Sequence, residues 1–322
     1  MSDSDTYDAL DRAVAHALQL HGRAPFRLLG TVLGVSDQTV ARRYARLRRH
    51  GVLHVVGVSG LDVLRMSRWI IRVTTTPAAA KAVGAALAER EDTSWINFCG
   101  AGTDIVFAAV GGSAEALLGD TLAHTRAVIG LRADRVLHTF YGGHTGAYTK
   151  QGPLAAEQIS ALAAQLPPVK LEPLTLDGID WQLIRALRDD GRATVEALAR
   201  LVGLSDTSTR RRVDALLRSG TVRLDVDVDL ALLGVPLRAV LWLRAESGAL
   251  RAAGEALATH PAATYVAAVT GPASLFVSLA LKDPADLYDY LSARLPAVPG
   301  VALAESAIVL RHTKAASALI GG

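Results

Sequence analysis

The chain of 322 residues contains one cysteine, Cys99. A lone thiol closes no internal disulfide and completes no cysteine-based metal site. That excludes a disulfide-stapled secreted scaffold and suits a reducing compartment. Long hydrophobic runs are absent too: no uncharged apolar stretch reaches the ~18 residues that a membrane span needs. Met1 to Asp11 is polar and acidic, without the apolar core of a secretion signal, so a cytoplasmic protein with no membrane partner is expected. The 9 histidines are scattered, and no His-Glu-x-x-His, cysteine pair or Walker loop occurs. No catalytic residue, metal or cofactor is therefore assigned. Cys99 has no base beside it in sequence, and His138 falls on a different expected strand, so the thiol is read as inert. A large excess of one charge sign is also lacking. The formal net charge is +3, too small to indicate a polyanionic partner by itself, so the placement of charge carries the argument.

What is present is bulk and repetition. Half of the residues are apolar and 20% are charged, the balance of a globular chain long enough for two to four domains. Displaced by 169 positions, the first part of the chain falls on the second: 16 of 46 residues are identical between 8–53 and 177–222. Asp8 and Asp11 land on Asp177 and Asp180, Gly22-Arg23-Ala24 on Gly191-Arg192-Ala193, Ser36-Asp37 on Ser205-Asp206, and Arg42-Arg43 on Arg211-Arg212. A period this long points to two fused copies of an entire protein rather than to a solenoid. Pro167, Pro168 and Pro173 stiffen the segment between the copies, which makes 151–175 the linker, with a short helix expected over Pro153 to Leu166.

Each copy opens on three helical patterns. Leu10, Val14 and Leu18, and likewise Ile179, Leu183 and Leu187, recur every four residues and form one apolar stripe. Gly22 and Gly191 are expected to stop this helix at a positive φ. A second helix follows with Phe26, Leu29 and Leu33 inward, or Val195, Leu198 and Val202. A tight turn at Gly34 or Gly203 then leads to a third helix, N-capped by Ser36 or Ser205. Val40, Tyr44 and Leu47 form its buried side, as do Thr209, Val213 and Leu216, and Gly51 and Gly220 end it. Val52 to Val58 and Thr221 to Val228 are expected to make a wing or the strand leading onward.

Helix, glycine-bearing turn, helix is the arrangement that lays a recognition helix in the major groove. Ser36, Gln38, Thr39, Arg42, Arg43 and Arg46 are then the candidate DNA contacts of the first copy, and Ser205, Thr207, Ser208, Arg211 and Arg212 those of the second. Guanidinium groups pair bidentately with guanine edges and with phosphates. Five arginines stand against one acid between Ser36 and His50, and four against two between Ser205 and Gly220, so the first copy is the more basic reader. A basic helix face is ordinarily just a solvated surface. The recurrence of turn, cap and arginine pair in both copies favours the DNA reading. Asp37 and Asp206, at the helix starts, suit the helix dipole.

The rest of each copy reads as strand, helix, strand, strand, helix, strand. In the first copy these are Arg68 to Thr75, Pro77 to Arg90, Thr93 to Gly100, Asp104 to Val110, Ser113 to Val128 and Arg135 to Tyr141. In the second they are Leu237 to Arg244, Gly248 to Thr259, Thr264 to Thr270, Ser274 to Leu281, Pro284 to Leu295 and Val301 to Leu310. That order is the ferredoxin-like sandwich, with helices on one face of an antiparallel sheet. The bare sheet face needs cover, and the second sandwich supplies it, as an internal pseudo-dimer or between chains. The expected class is α+β, with winged-type helix-turn-helix domains at 1–60 and 176–230 and ferredoxin-like sensing and dimerisation domains at 61–150 and 231–322.

This combination resembles the Lrp/AsnC (feast/famine) regulators. In the second copy the resemblance rests on Leu176-Asp177-Gly178-Ile179-Asp180, Leu187-Arg188-Asp189-Asp190-Gly191-Arg192, Ala197-Leu198-Ala199, Val202-Gly203-Leu204-Ser205 and Arg212-Val213. In the first it rests on Leu10-Asp11, Gly22-Arg23, Leu33-Gly34-Val35-Ser36, Thr39-Val40 and Arg43. The resemblance implies a sequence-specific regulator with three partners: a double-stranded DNA operator, a small-molecule effector (an amino acid or similar metabolite), and further copies in a homo-oligomer. It also implies an effector site at a turn of the form Gly-x-x-Asp, which makes Gly100, Gly102, Thr103 and Asp104 the candidate ligand-binding residues. The second copy has Gly271-Pro272-Ala273-Ser274 there, with serine in place of the acid. Trp95, Asn97 and Phe98, beside the first turn, are expected to be core and sheet-face residues. Siroheme decarboxylases are similar in overall design. They are expected to carry a His-Cys-Tyr type stretch and a Trp-Pro-Tyr run, neither of which occurs here. The nearest histidine and aromatic cluster, His138 to His144, falls on the last strand instead. Such an enzyme, and a metabolite sensor that does not bind DNA, are the alternative readings.

Overall fold

The computed structural model describes residues 7–60, 66–142, 149–150 and 152–314; His144 lies outside them. The chain forms two compact units. One gathers the residues up to 65 with 151–233, the other 66–150 with 234–321.

The first unit holds both helical triplets: α1 (Ala9–Leu20), α2 (Phe26–Leu33) and α3 (Asp37–Arg49), then α7 (Gly178–Asp189), α8 (Val195–Val202) and α9 (Asp206–Arg218). Leu18, Leu29 and Leu47 are fully buried at the centre of the first triplet, each contributing about 1.5–3 kcal/mol by leaving water. Gly34 and Gly203 end α2 and α8 at φ 69° and 69°, the left-handed cap that favours glycine. An additional helix, α6 (Ala156–Ala163), packs on α1 and α2. The Gln158 amide donates to the Val32 carbonyl at 2.8 Å, and the Leu154 N–H donates to His16 Nδ1 at 3.2 Å.

Two expectations are corrected in this unit. The segments after the third helices do not form a wing within each copy. They are β1 (Leu53–Ser59) and β6 (Val222–Val228), paired antiparallel with each other from Leu53↔Val228 to Ser59↔Val222. A lone strand exposes a row of unpaired backbone groups, and the equivalent strand of the other copy satisfies them. Gly22 and Gly191 are also absent from the positive-φ glycines. They are small because they lie against this ribbon: a Cβ on Gly22 would meet the Leu224 side chain at 3.0 Å, and one on Gly191 would meet Val55 at 3.0 Å. The arginines that follow them cross over. Arg23 donates to the carbonyls of Gly191 and Ala193 at 2.8 and 2.9 Å, and Arg192 to those of Gly22 and Ala24 at 2.7 and 3.0 Å. Arg192 also lies over the Phe26 ring, 4.6 Å from its centroid. The repeated Gly-Arg-Ala is thus a reciprocal clasp between the copies.

The second unit is a closed barrel of eight antiparallel strands in the order β10-β3-β4-β2-β5-β8-β9-β7. The first copy supplies β2 (Arg68–Thr75), α4 (Ala80–Glu89), β3 (Thr93–Cys99), β4 (Asp104–Val110), α5 (Ser113–Ala116) and β5 (Val128–Tyr141). The second supplies β7 (Leu237–Ala245), α10 (Leu250–Thr259), β8 (Ala263–Val269), β9 (Leu275–Leu281), α11 (Pro284–Asp289) and β10 (Val301–Lys314). Both α5 and α11 run on into a π-turn, over Leu117–Leu122 and Tyr290–Arg294. Each copy keeps the ferredoxin-like strand order, β3-β4-β2-β5 and β8-β9-β7-β10. Alternate residues of β2, Ile71 and Val73, pack under the first copy's helices. Ile70, on the opposite face, packs with Val106, Val240, Trp242 and Phe276 between the two sheets. The last strands are longer than the patterns suggest. β5 begins at Val128 rather than Arg135, because its first half pairs with β2 of its own copy before its second half crosses to β8, and β10 reaches Lys314, because its end crosses to β3 of the first copy.

Candidate nucleic-acid interface and effector turn

Ser36 and Ser205 cap the two candidate recognition helices α3 and α9, accepting from the backbone N–H of Thr39 at 3.1 Å and of Ser208 at 3.3 Å. Val40, Tyr44 and Leu47 point inward on α3, and Thr209, Val213 and Leu216 on α9. Helical periodicity then turns Gln38, Arg42 and Arg49 outward on α3, and Thr207, Arg210, Arg211 and Arg218 outward on α9; all seven are exposed. Thr39 and Ser208 are half-buried beside the caps.

Arg43, Arg46 and Arg212 are placed differently from the sequence expectation, which left them free on the helix face. Arg43 reaches back to α1, 2.8 Å from Asp8 and 3.3 Å from Asp11. Arg46 also pairs with Asp11, whose side chain is fully buried. In the second copy Arg212 lies 2.9 Å from Asp177 and 2.8 Å from Asp180. The aspartates are held for this role by reciprocal capping boxes. Asp8 Oδ1 accepts from the Asp11 N–H while Asp11 Oδ2 accepts from the Asp8 N–H, and Asp177 and Asp180 repeat the pattern. The backbone N–H of Asp11, with Arg43 beside it, holds the Asp8 carboxyl below its usual pKa against the opposing effect of burial. Buried carboxylates demand such partners, so the second arginine of each repeated Arg-Arg pair braces α3 or α9 against the first helix of its triplet. The first of each pair, Arg42 and Arg211, faces solvent. The signal was in the repeat itself: Asp-x-x-Asp and Arg-Arg recur together in both copies.

At the candidate effector turn, Gly100 and Gly102 have φ 59° and 83°, and the Thr103 carbonyl accepts from the Thr75 N–H at 3.0 Å. Asp104 is not a vacant carboxylate. One oxygen takes an ion pair from Arg72 at 2.7 Å and the other a hydrogen bond from the Thr74 hydroxyl at 2.7 Å. Burial works against its charged form, but these two partners outweigh it and keep the pKa below the ordinary aspartate value. Arg72 also pairs with Glu305 of β10 and lies over the Trp242 indole, 5.2 Å from the ring centroid. Arg72, Trp242 and Glu305 were not singled out from the sequence, because β10 and β7 meet this turn only once the barrel closes. Cys99 is buried, which pushes its thiol pKa up to about 12. Trp95 adopts φ 56° at an irregularity in β3. Asn97 donates to the Trp95 carbonyl at 2.9 Å and bonds His312 Nδ1 at 2.9 Å.

Two family models match the chain: the AsnC-type helix-turn-helix domain at residues 8–48 and 176–217, and the Lrp/AsnC ligand binding domain at 238–319. The Bkd operon transcriptional regulator of Pseudomonas aeruginosa is 33% identical over 149 residues, 44% of this chain and 96% of that protein. The HTH-type transcriptional regulator AldR of Mycolicibacterium smegmatis is 29% identical over 170 residues, 51% of this chain and 99% of that protein. Each relative is thus matched along nearly its full length by about half of the chain. The chain belongs to the Lrp/AsnC family of DNA-binding, metabolite-responsive transcription regulators. In fold it is also similar to the siroheme decarboxylase NirDL, with a TM-score of 0.56 and 15% identity over 95% of this chain and 92% of that one.

Proposed function

We propose that the chain is a cytoplasmic, non-catalytic regulator whose two helix-turn-helix units read the two halves of one operator under the control of a small metabolite. Residues 1–60 and 176–230 are the readers, 61–150 and 231–322 the sensing and pairing domains, and 151–175 the linker. The carrying observation is that both recognition helices stand in one compact unit, tied by the Gly-Arg-Ala clasp, with Arg42 and Arg211 exposed. Gln38 and Arg42 are the first reader's base and phosphate contacts, and Thr207, Arg210 and Arg211 the second's. Ser36, Thr39, Ser205 and Ser208 bring the helix N-termini to the backbone. Arg43, Arg46 and Arg212 act by bracing. Because Gln38 is replaced by Thr207 and Ala41 by Arg210, the two half-sites differ in sequence.

The effector is an amino acid or a related compound, held at Gly100, Gly102, Thr103 and Asp104. Two carboxylates, Asp104 and Glu305, share one guanidinium there, and the unbalanced negative charge suits an α-ammonium group. Amides at left-handed glycines suit the carboxylate end. The buried, weakly acidic Cys99 and the transcriptional role of the relatives support a non-catalytic chain, and assembly into a homo-oligomer follows the family. Anisotropy of a labelled duplex from the upstream region, measured at several salt concentrations with and without each amino acid, tests this reading. Nanomolar, salt-steep binding shifted by one amino acid is expected; salt-independent or absent binding would refute it.

A further inference from the structure

We infer that the facing surfaces of the two sandwiches are keyed, so that a first-copy sheet accepts a second-copy sheet and not another of its own kind. The strand pairings give the equivalences. In the first copy Arg72 pairs across to Val106 on β4 and to Arg132 on β5. In the second, Trp242 occupies the same place, paired to Phe276 on β9 and to Glu305 on β10. Asp104, opening β4, corresponds to Ser274, just before β9. The positions of Arg72 and Trp242 meet across the interface, guanidinium over indole at 5.2 Å.

The side chains at these equivalent places are complementary. Arg72 of the first copy finds Asp104 on its own sheet, and Glu305 and Trp242 on the other. Two first-copy sheets facing each other would bring Arg72 against Arg72, and Arg132, which is already paired with Asp134 at 2.9 Å, would supply no carboxylate where Glu305 stands now. Two second-copy sheets would stack Trp242 on Trp242 and leave both Glu305 carboxylates without this guanidinium. Like charges at contact distance in a half-buried site repel strongly. Neither like pairing satisfies these groups, and the mixed one does. Any exchange of sandwiches between chains must therefore also join a first copy to a second, a contact between unlike surfaces.

The test uses the full chain and moves the key from one copy to the other. The half-swap R72W/D104S makes both faces second-like at the contact while leaving the Arg132–Asp134 pair intact. The full swap adds W242R/S274D and restores a mixed pair with the roles reversed. Thermal unfolding is followed by the near-ultraviolet signal of the tryptophans, and size by light scattering. The half-swap is expected to lower the midpoint by about 5 °C or more, and the full swap to regain at least half of that loss as a species of wild-type size. A half-swap that melts with the wild type, or a full swap that melts no higher than the half-swap, overturns the keying.

Discussion

Neighbouring arginines on one helix are placed differently here, Arg42 exposed and Arg43 paired with Asp8 and Asp11, and substitution separates them. Arg42→Ala is expected to weaken operator binding and to reduce the slope of log affinity against log salt by about one phosphate contact, with little change in melting. Arg212→Ala is expected to destabilise the first unit by about 1–3 kcal/mol, because Asp180 loses its only ion-pair partner among the described residues. Arg43→Ala should cost less, since Arg46 still reaches Asp11. Salt-series anisotropy and chemical denaturation of the three variants check the split. A second residue-scale prediction concerns His312. Asn97 Nδ2 donates to Trp95, so its Oδ1 accepts from His312 Nδ1–H, and Nε2 is buried without a partner among the described residues. Burial, then the nearby Arg238 charge, pushes the imidazole down to about 3. The unfolded chain binds this proton near 6.5 and the folded chain near 3. His312 therefore costs nothing above about pH 6.5, and stability falls below it by up to about 1.4 kcal/mol per pH unit. His312→Asn should flatten that part of the stability–pH curve, with Arg238 on β7 and Asn97 on β3 unchanged.

At the scale of elements, local patterns were legible where a helix or strand answers to its own copy and illegible where it answers to the other. The inward faces of α3 and α9 follow from spacing alone, as do the limits of β2 and β4, because apolar periodicity decides them. The wing did not follow. Val52 to Val58 has the composition of any half-buried strand, and only the fold reveals that its partner is Val222–Val228, 169 residues away. Gly22 read as a helix stop for the same reason, since its neighbours Val55 and Leu224 include one from each copy. Glycine substitutions distinguish the two kinds of constraint. Gly34→Ala meets nothing within 4 Å, and its cost, about 1 kcal/mol, is the left-handed φ alone. Gly57→Val drives a side chain toward the backbone of Leu187, where a Cβ already lies at 3.0 Å. It should cost about 3 kcal/mol and loosen the clasp. Urea denaturation of the two variants tests the order.

For the whole molecule, the consequence of two copies in one chain is asymmetry. A symmetric dimer presents two identical readers and two identical turns. This chain presents Gln38 with Arg42 on one helix and Thr207 with Arg210 and Arg211 on the other, and a charged turn at Asp104 against an uncharged one at Ser274. The duplication itself was legible in the repeat, but the Arg72–Asp104–Glu305 cluster was not, because it is assembled from strands 233 residues apart in the chain. The central claim is that one chain reads one operator through two different half-sites. Selection from a randomised duplex pool with wild type, Arg42→Ala and Arg211→Ala tests it most directly. The expected result is a bipartite, non-palindromic site, with each variant losing preference in a different half. A palindromic site relaxed equally by both variants, or no enriched sequence at all, would contradict the account.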